Sequence, residues 1–123
     1  MRKIQSLDDL VLPEKHRSFL EKFLTQVAGL SERGKIEQLV LFGSCARGDA
    51  TEGSDIDIAA IGEEIDDETL WMLYDCVPAY VPGQYVRNDI IAMTNNQFTR
   101  HINSFGMVQK YIQREGVDLS GLL

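Results

Sequence analysis

Positive charge is scarce in this chain of 123 residues: 12 Lys and Arg stand against 19 Asp and Glu, for a net charge of −7. Sequence-independent nucleic-acid binding rests on clustered Lys and Arg, so no direct nucleic-acid binding is expected, whereas a basic protein partner is compatible with the acidic surface. Cysteine is also sparse. Cys45 and Cys76 are too few for a disulfide framework and lack metal-ligand spacing, so two reduced, partly buried thiols are expected. No run approaches the roughly 20 apolar residues that span a bilayer, and Met1-Arg2-Lys3-Ile4-Gln5 is not followed by the apolar stretch of a signal peptide. The expectation is a cytoplasmic protein without membrane attachment. Repeats, linkers and low-complexity segments are missing too, and the length fits one domain spanning residues 1–123.

What is present alternates between helical and strand periodicity. Pro13-Glu14 suits a helix start, after which Phe19, Phe23, Leu24, Val27 and Leu30 recur at helical spacing. The charged residues of that segment, with His16 beside them, fall on its polar side, and Gly34 is expected to end the helix or the turn after it. Ile36 to Phe42 reads as a first core strand, Gly43-Ser44 as a turn into a short helix, and Asp55 to Ile61 as a second strand. Asp66-Asp67-Glu68 opens another helix, with Leu70, Leu73, Tyr74 and Val77 inward. Gln84 to Met93 reads as a third strand, placing Tyr85, Arg87, Asp89 and Ile91 on one face. The tail from Asn95 to Glu115 is helical in pattern with a break near Gly106, Met107, Val108, Tyr111 and Ile112 inward, and a stop at Gly116. The fold class is α/β (α+β), a small sheet flanked by helices.

The chemistry concentrates at residues 41–58. Strand residues i and i+2 share a face, so Asp55 and Asp57 project together while Ile56 and Ile58 face the core. Aspartate is depleted in strands, and two adjacent carboxylates repel unless a cation lies between them. Hard oxygen donors of this kind suit Mg²⁺, which also takes phosphate oxygens. Gly43 permits close backbone approach, Ser44 supplies a hydroxyl at a helix start, and Arg47 carries a donor fork suited to phosphate. Asp89 is a lone acid in the third strand and a candidate to complete a two-metal cluster; Asp75 is the alternative. His16 and His101 lack metal spacing, and Trp71 and Tyr80 fit local packing better than base stacking.

Gly43-Ser44, ten intervening residues and Asp55-Ile56-Asp57 resemble the GS-x10-DxD signature of the polymerase-beta-type nucleotidyltransferase superfamily. The fuller string Phe42-Gly43-Ser44-Cys45-Ala46-Arg47-Gly48 with Ser54-Asp55-Ile56-Asp57-Ile58 resembles the minimal nucleotidyltransferase (MNT) branch over nearly the whole chain. That resemblance implies a mixed sheet flanked by helices. It implies Mg²⁺-dependent transfer of AMP from ATP, with Asp55, Asp57 and Asp89 holding two Mg²⁺ ions and Asp89 assisting deprotonation of the acceptor hydroxyl. Gly43, Ser44, Arg47 and Ser54 would bind the nucleotide, and Cys45 occupies a variable slot without a role.

Larger relatives carry a second domain for the acceptor. The expectation is therefore that another polypeptide completes the acceptor site, as in HEPN–MNT toxin–antitoxin pairs, where the small nucleotidyltransferase is the antitoxin and adenylylates a HEPN-type ribonuclease toxin. The alternatives are a homodimer acting on a small molecule such as an aminoglycoside, and an antitoxin that acts by binding alone.

Overall fold

The computed structural model describes residues 1–123. Five strands form one mixed sheet: β1 (Arg2–Lys3), β2 (Gln38–Phe42), β3 (Ile56–Gly62), β4 (Asn88–Thr94) and β5 (Val117–Asp118), in the spatial order β1-β5-β2-β3-β4. Strands β2 and β3 run antiparallel, β3 and β4 parallel, and β5 is antiparallel to β2 and parallel to β1. The helices are α1 (Glu14–Ala28), α2 (Ser44–Arg47), α3 (Asp67–Asp75), α4 (Asn95–Arg100) and α5 (Val108–Glu115). Single 3-10 turns occupy Leu7–Asp9, Ser31–Lys35 and Ser120–Leu122.

β3 is the spine. Every residue of the strand is buried except half-buried Asp57, as expected of a strand covered on both faces. Leu39, Leu41, Ile56, Ile58, Ala60 and Ile90 point to one face and pack against Leu20, Phe23, Leu24 and Val27 of α1 and Leu73 of α3. Val40, Ala59, Ile61 and Met93 point to the other, beneath Phe98 of α4 and Ile112 of α5. Strand alternation puts Asp57 and Asp89 on this second, more thinly covered face.

Local chemistry explains the helix ends. Asp66 caps α3 by accepting from the Thr69 N–H at 2.9 Å and from its hydroxyl at 2.8 Å, bonds that hold its carboxyl below the usual carboxylate range. Thr94 and Gln97 form a reciprocal capping box on α4. The α1 helix begins after Pro13 and closes at Gly29. Gly34 lies near the end of the 3-10 turn that follows, one of the two places expected for it.

Several sequence expectations are corrected. The first strand begins at Gln38 and the third at Asn88, and Gln84 to Arg87 lie outside the sheet because the Gly83 turn precedes them. The last two helices are separated by residues 101–107, and of the four inward candidates only Ile112 is buried, since the short α5 covers the sheet with one residue per turn. Trp71 and Tyr80, expected to pack locally, each lie against a neighbouring tyrosine, Tyr74 and Tyr85, while both stay largely exposed. The two-residue strands β1 and β5 carry no periodicity from which a sequence reading could find them.

Phe23 is completely buried and stacks on Phe19 at 6.1 Å between ring centroids. Replacing it with alanine is expected to destabilise the fold by about 3–5 kcal/mol, read as a lowered denaturation midpoint with unchanged slope.

Candidate active site

The site lies where β2 ends and β3 and β4 begin. Phe42 pairs with Asp57, and Asp57 with Asp89, so register alone sets the second and third acids side by side on neighbouring strands. Asp55 stands two residues before Asp57, immediately ahead of β3. Burial pushes the Asp57 carboxyl above the ordinary carboxylate value, and the charges of Asp55 and Asp89 push it further. All three acids therefore meet at one end of one sheet face. Asp75, the alternative third acid, ends α3 on the helix that covers the opposite face.

Gly43 connects β2 to α2 with φ 77° and ψ −156°, a backbone conformation that favours glycine. A Cβ at that position would lie 2.6 Å from Asp57 Oδ2. The glycine is thus required twice, by its dihedrals and by the carboxylate resting against it. Ser44 opens α2, and Gly48 closes it in the left-handed region with φ 87°.

Arg47 and Ser54, both expected to meet phosphate, already have protein partners. Arg47 donates from Nη1 to both carboxylate oxygens of Glu115 at 3.1 and 3.3 Å and contacts Asp49 at 3.4 Å. Ser54 Oγ accepts from the Thr51 N–H at 2.8 Å and closes the turn before Asp55. Arg87 Nε lies 3.0 Å from Asp55 Oδ1.

No three His, Cys, Asp or Glu side chains converge on a common point as a preformed metal cluster. The expected three-acid cluster is brought to one sheet end but not drawn together: Asp55 stands ahead of β3 and is engaged by Arg87, while Asp57 and Asp89 are held by strand register. The donor set nevertheless fits a hard divalent cation, being carboxylate oxygens alone. Burial raises Asp57 first, but the Asp55 and Asp89 charges that add to it, and the guanidinium on Asp55, mark an end of the sheet that favours positive charge.

Sequence reasoning missed four participants. His16, expected on the polar side of α1, is completely buried, and its Nε2 donates to the Ser54 carbonyl at 2.7 Å; the residues of the 51–54 turn, far away in sequence, cover that side of the helix. Cys45 is buried, and its thiol donates to the Asp55 carbonyl at 3.4 Å. Burial, with Asp57 nearby, pushes that thiol up to about 11, so it stays protonated and able to donate. Arg87 could have been found from strand alternation, which sets it on the Asp89 side; Glu115 had no local signal.

A sequence model of the nucleotidyltransferase domain family matches residues 14–117. A protein of Methanocaldococcus jannaschii, named as a candidate protein adenylyltransferase, is 61% identical over 31 residues, which are 25% of this chain and 31% of that protein. A crystal structure from Sulfolobus solfataricus, titled a candidate nucleotidyltransferase, aligns over 87% of this chain and 86% of its own, at 20% identity and a TM-score of 0.45. Since the family match spans α1 through the start of β5 and includes both the Gly43-Ser44 turn and all three acids, the chain belongs to the nucleotidyltransferase domain family.

Proposed function

We propose that this protein transfers AMP from ATP, with Mg²⁺, to a hydroxyl of a partner protein. The observation that carries the reading is the register Phe42–Asp57–Asp89 beside the Gly43 turn, with Asp55 two residues away. The protein-acceptor half rests on the short, closely matched segment shared with the candidate protein adenylyltransferase. It also draws on the acidic surface: Gly48 to Val86 contains no Lys or Arg.

Asp55 and Asp57 are the residues that would hold the metal, with Asp89 completing the acceptor side. Bound there, Mg²⁺ would supply charge neutralisation on the phosphates. Gly43 and the first N–H groups of α2 present donors at the phosphate end, where a side chain on residue 43 would intrude. Ser44 adds its hydroxyl. Arg47, braced by Glu115 against α5, holds positive charge at the same end. Asp89 is exposed at the start of the outermost strand β4, where it can accept the proton of the incoming hydroxyl. The acceptor oxygen then bonds to the α-phosphorus, the bond from that phosphorus to the bridging oxygen breaks, and pyrophosphate leaves. Positioning and electrostatics dominate such chemistry.

The resemblance to antitoxins of HEPN–MNT pairs makes a HEPN-type toxin the partner of choice, with this chain as its antitoxin. Incubation of the native chain with ATP, Mg²⁺ and that partner is expected to add the mass of AMP to the partner. Absence of any addition, with nucleotide binding established, would defeat the proposal. Asp57→Asn is expected to reduce the rate by at least about 10²-fold; neutralisation that survived in this variant would assign the effect to binding alone.

Asp57 also yields a stability test. A carboxyl raised in the folded state disfavours folding once it ionises, so without metal its penalty sets in as pH rises from the ordinary value of 3.8 through the folded one. In EDTA at neutral pH, Asp57→Asn is therefore expected to melt above the native chain. Adding Mg²⁺ at a hundred times its dissociation constant is expected to stabilise the native chain by about 2.7 kcal/mol and the variant by little. Mg²⁺ affinity is expected to fall with pH sooner than an ordinary aspartate would allow, as isothermal titration at a series of pH values can read.

A further inference from the structure

Asp55 precedes β3, so only part of its backbone is held by sheet pairing. The carbonyl before it, on Ser54, accepts from His16 Nε2 at 2.7 Å. Its own carbonyl accepts from Cys45 Sγ at 3.4 Å. The next N–H, on Ile56, donates to the Arg87 carbonyl at 2.8 Å. His16 is completely buried, and its Nδ1 has no partner at all. A carbonyl can only accept, which places the imidazole proton on Nε2. Outside this buried contact, Lys15 reaches Glu52 at 3.6 Å and ties the same first turn of α1 to the same loop. A histidine that leaves one ring nitrogen unsatisfied in the core makes a single polar contact, and that contact is one peptide from the aspartate.

We propose that His16 and Cys45 are positioning residues that clamp the two peptide carbonyls flanking Asp55 and so aim its carboxylate at the divalent cation. Their action is through the backbone. Fixing the peptides on both sides of Asp55 limits the backbone freedom of the residue that carries the carboxylate. The inference rests on the reading of Asp55 as a metal ligand. Groups that orient a ligand without touching the metal commonly control affinity about 10- to 100-fold.

The test is Mn²⁺ binding without nucleotide, read by the electron paramagnetic resonance of the free ion, alongside circular dichroism and melting. His16→Leu is expected to remain folded and weaken Mn²⁺ about tenfold or more. His16→Gln, whose amide N–H can occupy the Nε2 position, is expected to recover to within about twofold of the native chain. Cys45→Ala is expected to weaken binding about threefold, because a thiol is a weak donor, and Cys45→Ser to weaken it less. Native affinity in folded His16→Leu, or His16→Gln as weak as His16→Leu, would overturn the proposal. Should His16→Leu fail to fold, Cys45→Ala carries the comparison, and native affinity there would overturn it equally. Asp55→Asn separates the two levels. If it binds Mn²⁺ like the native chain, the metal reading fails and the clamp with it. If it loses Mn²⁺ while the His16 and Cys45 variants keep it, the clamp alone fails.

Discussion

Negative charge crowded at one end of the sheet is the constraint on which the rest of the molecule turns. Asp57 is half-buried, carries Asp89 beside it on the neighbouring strand and Asp55 two residues back, and rests against the backbone of Gly43. Burial and the two neighbouring charges raise the free energy of its ionised form, and nothing within the core relieves it. An arrangement of this kind persists only because a well-packed scaffold enforces it. The scaffold is β3, continuously buried between α1 and α3 on one face and α4 and α5 on the other.

The partial compensations that do exist lie at the rim. Arg87 engages Asp55, and Arg47 is shared between half-buried Glu115 and exposed Asp49, where solvent screening keeps such pairs weak. Rim arginines paired in this way keep the acids tolerable without blocking them. The buried contacts at the same site, from His16 and Cys45, go to backbone carbonyls and leave the carboxylates free. Rigidity is therefore supplied beneath the acids and adaptability above them.

α2 shows how little chain such a site needs. Four residues between two glycines with positive φ turn the chain out of β2 and set Ser44 at the first position of α2. The same four residues send Cys45 beneath Asp55 and Arg47 outward to α5. One helical turn suffices because successive side chains on it point about a quarter-turn apart.

Much of this was legible in residue order. The apolar runs of Leu39 to Phe42 and of Ile56 to Ile61 mark both central strands, and the spacing of Phe19, Phe23, Leu24 and Val27 marks α1, because such patterns are local properties of the chain. The two-residue spacing of Asp55 and Asp57 set those candidate acids on one face for the same reason. Tertiary structure alone decided the burial of His16, the thiol contact under Asp55, the Glu115 brace on Arg47 and the pairing of Asp57 with Asp89. Each joins segments distant along the chain, and strand register with helix packing, neither of which leaves a local pattern, determines which of them meet.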